Sequence, residues 1–156
     1  NIQTLVIDLR DNGGGYLTAA TDILDLFFTS DEVIYQMKEK NSAAKKYYAE
    51  SDKKYEFENG YILVNENTAS SAEIMTAAMK DLGKAKIVGT KTFGKGITQK
   101  IEKLSDGSGL VYTDAELRSP NGTTWHGTGI TPDVVVEYDK NAGTDAQLNA
   151  AMNLLK

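Results

Sequence analysis

Apolar positions along the chain alternate between short continuous runs and helical spacings. Leu5-Val-Ile-Asp-Leu9 is nearly all apolar, the pattern of a strand buried on both faces. After a glycine run, Leu17, Ala20, Leu24 and Phe27 recur at helical spacing. Val33 to Met37 reads as a strand, and Tyr61-Ile-Leu-Val64 as a second buried one. A helix is predicted from Ala72 to Leu82, with Ile74, Met75, Ala78 and Leu82 on its core face and Gly83 closing it as a C-cap. Lys86 to Gly89 is a short strand and Gly96 to Leu104 a longer one, with Ile97, Gln99 and Ile101 on one face. Ser105-Asp-Gly-Ser108 has hairpin-turn chemistry, Leu110 to Tyr112 returns, and Ala115 to Arg118 is a further strand before the turn at Ser119-Pro-Asn-Gly122. Pro132 halts the chain ahead of a strand from Val134 to Glu137. Thr144-Asp-Ala-Gln147 has the form of a capping box, opening a helix that buries Leu148, Ala151, Met152 and Leu155. Strands interleaved with helices predict an α/β domain.

Lys38 to Asn59 breaks this regularity. It is rich in Lys, Glu, Ala and Tyr, and reads as a mobile, solvated hairpin, with a lid over a cleft as the functional alternative. A chain of 156 residues is ordinarily one domain with enough length to bury a core. The net charge of −5 and the lack of a concentrated basic patch argue against a nucleic-acid partner. Without cysteine there is no disulfide framework. The chain opens directly into a strand, with no signal-like leader and no apolar run long enough to span a membrane.

Chemistry concentrates where Val64 hands over to the helix. Asn65-Glu-Asn-Thr-Ala-Ser-Ser71 puts two serines at a strand-to-helix turn. A helix N-terminus offers unpaired N–H groups and a positive dipole end, so a hydroxyl nucleophile and an oxyanion stabiliser can share such a turn. Ser and Thr are equally ordinary N-cap residues. A serine nucleophile needs a base. The candidates are the only histidine, His126, and a lysine in Gly89-Thr-Lys-Thr-Phe-Gly-Lys-Gly96, where Lys95 lies between two glycines with Gln99 four residues on. A lysine of ordinary pKa, about 10.4, is protonated near neutrality, and lowering it by about three units through desolvation costs roughly 4 kcal/mol. Gln99 could hold the amine without adding charge. His126 would need a carboxylate to orient it as a triad base, and a lone loop histidine is more often only a loop residue. Asp8 and Arg10 read as a structural ion pair at a strand end. Asn12-Gly-Gly-Gly15 matches neither Gly-x-Gly-x-x-Gly nor the P-loop, which excludes nucleotide binding on this motif.

Four blocks, Asp8-Leu-Arg-Asp-Asn-Gly-Gly-Gly15, Val64 through Ile74, Gly89 through Gly96 with Gln99, and Gly127-Thr-Gly-Ile-Thr-Pro-Asp133, resemble the C-terminal processing peptidases, or tail-specific proteases, in the family's order. Gly13 stands where the family commonly has Pro. The resemblance implies a ClpP/crotonase-like α/β core of repeated β-β-α units and a Ser–Lys serine endopeptidase acting near protein C-termini. It assigns Ser70, three residues before Glu73, as nucleophile, Lys95 as general base and Gln99 as its assistant. Ser71, directly after Ser70, is the competing hydroxyl. A backbone N–H of Gly14 or Gly15 with that of Ser71 would form the oxyanion hole, a tight turn being the plainer reading of the glycines. No metal or cofactor is implied, because there is no His/Cys cluster and the acidic residues lack ligand spacing. The partners implied are extended polypeptide tails, an upstream PDZ domain of the same protein and a possible homo-oligomer. The location implied is extracytoplasmic, in a bacterial envelope. Residues 1–156 would then be the C-terminal part of a peptidase domain whose upstream region lies outside this chain, and alone it could be inactive. A catalytically silent peptide-binding module and an acyl-thioester enzyme of similar fold remain as alternatives.

Overall fold

The structure is a computed structural model that describes residues 2–50, 55–138 and 141–155. In chain order its elements are β1 (Ile2–Asp8), α1 (Leu17–Leu24), β2 (Val33–Glu39), β3 (Lys45–Tyr48), β4 (Phe57–Val64), α2 (Ser71–Asp81), β5 (Lys86–Gly89), β6 (Ile97–Lys103), β7 (Gly109–Arg118), β8 (Val134–Val135) and α3 (Ala146–Asn153). One sheet is parallel, in the order β1-β4-β5-β8, and the other antiparallel, in the order β3-β2-β7-β6. The chain is a mixed α/β domain, as its alternating patterns predict.

Period-two alternation explains how the layers are cemented. On β4, Ile62 and Val64 join the main core with α2, Phe28, Ile34 and Leu117, while Tyr61 and Leu63 face the other way with Val88 and Ala151 of α3. A strand covered on both faces has no polar side, hence the unbroken Tyr61–Val64 run. Helix α2 is buried at every residue from Ser71 to Met79, so it lacks the polar stripe of a surface helix. Fully buried side chains such as Ile74 and Met79 each contribute roughly 1.5–3 kcal/mol. Gly83, with φ 66°, follows the Leu82 C-cap and lets the Lys84 N–H reach back to the Met79 carbonyl at 2.9 Å.

Several predicted boundaries shift. The two short strands expected at Leu110–Tyr112 and Ala115–Arg118 are one strand, β7, whose register against β6 slips between Thr98 and Gln99. Asp114 is the extra residue of this bulge, receiving the Thr98 hydroxyl at 2.6 Å and the Lys100 amine at 3.0 Å. A polar residue inside an apolar run thus marks a bulge rather than a gap. The last helix is capped by Asp145 rather than Thr144: the Asp145 carboxylate accepts the Leu148 N–H at 3.0 Å. That shift of one residue places Gln147 inside the protein, donating to the Val136 carbonyl, and leaves Leu148 and Met152 exposed. Strand β8 is shorter than the predicted Val134–Glu137. The polar stretch after Met37 forms the β2–β3 hairpin, with Tyr35 and Tyr47 stacked at 4.5 Å between ring centres; its residues 51–54 lie outside the described set.

No helix among the described residues is long and apolar enough to cross a membrane.

Candidate active site

Parallel strands all point their C-terminal ends to one edge, and here that edge collects the sequence blocks. Adjacent strands β1, β4 and β5 run out into the glycine turn, the serine turn and the lysine loop respectively. Ligand crevices of open α/β sheets lie outside such carboxyl ends. The Thr68 hydroxyl donates to the Leu9 carbonyl at 2.7 Å, the Ala69 N–H to the Asn12 carbonyl at 2.9 Å, and the Phe93 N–H to the Thr68 carbonyl at 2.9 Å. Asp11 accepts side-chain amide N–H groups from Asn65 and Asn67. The three turns are thereby tied into one unit.

Ser70 is the N-cap of α2, with φ 58° and ψ −122°. This is backbone that glycine adopts freely and other residues rarely do. A serine on such a strand-to-helix turn presents its Oγ clear of the helix. Ser70 is half-buried, whereas Ser71, the first residue of α2, is buried at 8% exposure. Gly14, at φ 89°, lies against this turn: a Cβ there would meet the Ala69 carbonyl oxygen at 2.6 Å, Ser70 Cβ at 2.8 Å and Ser71 N at 2.9 Å. Its N–H donates to Asn12 Oδ1 at 2.9 Å. Of the two candidate glycine amides, the one without a partner among the described residues is therefore Gly15. The Ser71 amide likewise lacks one.

The feature that sequence reasoning missed is the use made of Glu73. Fully buried, its carboxylate accepts four hydrogen bonds. Oε2 receives the N–H of Ser70 at 2.9 Å and of Lys95 at 2.8 Å. Oε1 receives the Thr92 hydroxyl at 2.6 Å and the Gly94 N–H at 2.7 Å. The Thr92 hydroxyl in turn accepts the Ile130 N–H at 2.7 Å, which commits its own proton to Glu73. The signal was available: a glutamate three residues after an N-cap serine is the capping-box spacing.

Ser70, Lys95 and Gln99 line one cleft of about 370 Å³ together with Gly15 and Ser71. Ile97, Gln99 and Ile101 alternate along β6 and all line this cleft. Lys95 and Gln99 are exposed, and no hydrogen bond joins the Lys95 amine to Ser70 Oγ. His126 is exposed and does not line the cleft; its backbone N–H donates to the Thr124 hydroxyl, and no carboxylate orients it among the described residues. Arg10 does not enter the cleft either. It bridges Asp8, at 2.6 Å, and Asp145 at the N-cap of α3, at 2.8 Å, and lies over the Tyr138 ring. Its guanidinium holds the carboxyl groups of Asp8 and Asp145 below the usual carboxylate range. Among the described residues no cluster of His, Cys, Asp or Glu could hold a metal ion.

Comparison with known proteins supplies independent findings. The sequence model of Peptidase family S41 matches residues 1–136. A probable CtpA-like serine protease of Staphylococcus epidermidis is 41% identical over 140 residues, which are 89% of this chain and 28% of that protein. A protein of the same description from Staphylococcus saprophyticus is also 41% identical, over 137 residues, 87% of this chain and 28% of its own. The chain thus spans little more than a quarter of the length of these relatives. Among solved structures, the photosystem II D1 C-terminal processing protease superposes with a TM-score of 0.75 at 31% identity, over 86% of this chain and 34% of that one. A lipoprotein from Streptococcus agalactiae shares the fold, with a TM-score of 0.77 at 22% identity over 98% of this chain and 54% of that one.

Proposed function

This chain belongs to peptidase family S41, and from that premise we propose that it is the catalytic core of a serine endopeptidase that cleaves polypeptides near their C-termini, with Ser70 as nucleophile, Lys95 as general base and Gln99 as the group that steadies the lysine. The observation that carries this reading is the turn at Ser70. A serine occupies glycine-like backbone at a helix N-terminus, and the carboxylate of Glu73 joins that turn to the Lys95 loop.

In the proposed cycle, neutral Lys95 takes the proton from Ser70 Oγ as that oxygen attacks the peptide carbonyl carbon. The unpaired N–H groups of Gly15 and Ser71 receive the developing oxyanion, a contribution on the order of 10²–10³ in rate per donor. The lysine ammonium returns its proton to the leaving amine, and the acyl-enzyme forms. Lys95 then takes a proton from water, whose oxygen attacks the ester, and Ser70 recovers its hydrogen as the acid product leaves. Because Lys95 is exposed, the dry environment that keeps its amine neutral has to come from whatever covers the cleft, either substrate or another part of the full-length protein.

Residues 1–156 form the C-terminal part of the peptidase domain in this reading, working beside an upstream PDZ domain and on extended protein tails. A homo-oligomer and an extracytoplasmic place in a bacterial envelope belong to the same proposal. The likeness to bacterial CtpA-like proteases supports that location.

The test is cleavage of an unfolded protein by the full-length gene product and its Ser70→Ala, Lys95→Ala and Gln99→Ala variants, from about pH 6 to about pH 10, with folding checked by circular dichroism. Loss of at least about 10³-fold in kcat for the first two and a smaller loss for Gln99→Ala is the expected result. Undiminished cleavage by folded Ser70→Ala would sink the assignment, and a wild type that only binds tails would favour the silent module.

A further inference from the structure

We propose that Asn12 is a site of spontaneous covalent modification: Gly13 closes its side chain into a succinimide, and the opening of that ring disables the oxyanion hole. The chemistry needs only water and the chain itself. Its consequence for cleavage rests on reading Ser70 as the nucleophile and the Gly15 amide as an oxyanion donor.

The sequence carries three Asn–Gly steps, Asn12–Gly13, Asn59–Gly60 and Asn121–Gly122. A glycine leaves the preceding carboxamide open to attack by its backbone nitrogen, because no side chain stands in the way. In the reaction the Gly13 nitrogen gives up its proton and bonds to Asn12 Cγ. The Cγ–Nδ2 bond breaks, and its nitrogen leaves as ammonia with that proton. Water then opens the ring at either carbonyl. Attack at Cγ gives aspartate, and attack at the main-chain carbonyl carbon gives isoaspartate. Proline, which the family commonly has in place of Gly13, has no N–H to lose and would block the first step.

The structure favours one of the three steps. Asn12 and Gly13 are both exposed, the Gly13 N–H has no hydrogen-bond partner among the described residues, and nothing lies within 4 Å of a Cβ built on Gly13. Two hydrogen bonds act on the reacting groups. The Gly14 N–H donates to Asn12 Oδ1 at 2.9 Å, so it polarises Cγ and holds the oxygen that becomes negative in the tetrahedral intermediate. The Ala69 N–H donates to the Asn12 carbonyl at 2.9 Å. That oxygen shares the charge of the deprotonated Gly13 nitrogen, so the bond favours the nucleophilic form. Gly60, by contrast, is buried in β4 against the Lys84 carbonyl, with Asn59 in register with Thr4 of β1. The Gly122 N–H donates to the Ser119 carbonyl at 2.9 Å. Asn12 also borders the same hollow as Gly15 and Ser71. Its conversion puts a negative charge beside the developing oxyanion, and the isoaspartate product also lengthens the main chain next to Gly14, which packs on the Ser70 turn.

The experiment ages the full-length protein in a mildly alkaline buffer and follows peptide masses together with cleavage of an unfolded protein. Ser70→Ala runs alongside, so that self-cleavage cannot confuse the masses. A mass gain of about 1 Da at position 12, with isoaspartate detected by an isoaspartate-specific methyltransferase, is expected at least about tenfold faster than at Asn59 or Asn121. The gain should be equally fast in Ser70→Ala and about tenfold or more slower in Gly13→Ala, whose methyl group crowds the ring closure. Cleavage by wild type should decay along the same time course, through kcat rather than KM, while Gly13→Ala keeps its activity on ageing. No mass gain at position 12, or a faster one at either other asparagine, overturns the site. Complete conversion with cleavage intact overturns its link to the oxyanion hole and leaves the hydrolase reading standing. Fresh wild type that cleaves nothing overturns the hydrolase reading and that link with it, and the masses still decide the site.

Discussion

Glu73 holds Lys95 by its backbone rather than by its charge. The carboxylate Oε2 accepts the Lys95 N–H at 2.8 Å and the Ser70 N–H at 2.9 Å, so one oxygen fixes the main chain of both proposed catalytic residues. The spacing of their backbones is set without engaging the Lys95 amine. In a Ser–Lys site this separation of tasks matters, because the amine has to serve Ser70, the leaving amine and water in turn.

Glu73→Gln keeps the shape of that side chain but turns one of its two oxygens into an NH2. One pair of N–H and O–H donors would then face another donor. Hydrogen bonds to a charged group are worth about 1.5–3 kcal/mol each, so the variant should lose roughly 2–4 kcal/mol of folding stability. Cleavage should fall at temperatures where the protein remains folded. Denaturant unfolding together with kcat/KM measures both, and a variant matching wild type in each would show that the carboxylate does not organise the site.

Gly13 and Gly14 make an internal control. Nothing lies within 4 Å of a Cβ built on Gly13, whereas one on Gly14 meets the Ala69 carbonyl, Ser70 Cβ and Ser71 N inside 3 Å on a backbone at φ 89°. Gly14→Ala should therefore displace the Ser70 turn and reduce cleavage by on the order of 10²-fold, the scale on which small misplacements act. Gly13→Ala should change kcat/KM by less than about threefold. Equal effects of the two substitutions would contradict the close approach.

Thr92 can be tested by its hydroxyl alone. Thr92→Val leaves the Ile130 N–H without its acceptor and Glu73 without one donor, at a cost of about 1–3 kcal/mol for the stranded buried group. Thr92→Ser restores the hydroxyl and should recover most of the loss in the denaturant midpoint. A serine variant as unstable as the valine one would assign the effect to packing of the methyl group instead.

Acid should loosen the seat of α3. Asp8 and Asp145 have native pKa values below the ordinary 3.8, chiefly because Arg10 donates hydrogen bonds to both. A depressed carboxyl contributes stability that is complete above its unfolded value and is lost as pH falls through the native one. The melting temperature should accordingly hold from about pH 7 to about pH 4 and drop below that. Asp145→Asn keeps the cap acceptor without the charge, and its acid-induced drop should be smaller. Asp145→Ala should cost about 1 kcal/mol beyond Asp145→Asn for the missing cap.

The strands and the central helix were legible because their apolar periodicity is a direct imprint of burial on one face or two. Ser70, Lys95 and Gln99 stood out as candidates because they sit in blocks whose order resembles a family, and the three line one cleft. What was hidden lies in relations between blocks. Nothing local to Glu73 says that its carboxylate also reaches Thr92, Gly94 and Lys95, and nothing near Asn12 says that its side chain occupies the Gly14 amide and leaves the Gly15 amide unpaired. The strand break read at Thr113 and Asp114 failed for a similar reason: the polar partners of Asp114 lie across the hairpin, on β6. The Thr144 cap missed by one residue because Asp145 adds an ion pair with Arg10, far away in sequence, to its capping role.

The backbone at Ser70 sets survival against purpose. Holding a side chain at φ 58° and ψ −122° costs on the order of 1 kcal/mol or more that glycine would not incur. Ser70→Gly should therefore produce a protein that resists heat at least as well as its parent and cuts nothing. Drift toward mere durability would erase the hydroxyl at this position, so the serine measures how much robustness the molecule forgoes to keep the proposed nucleophilic oxygen at the mouth of its cleft.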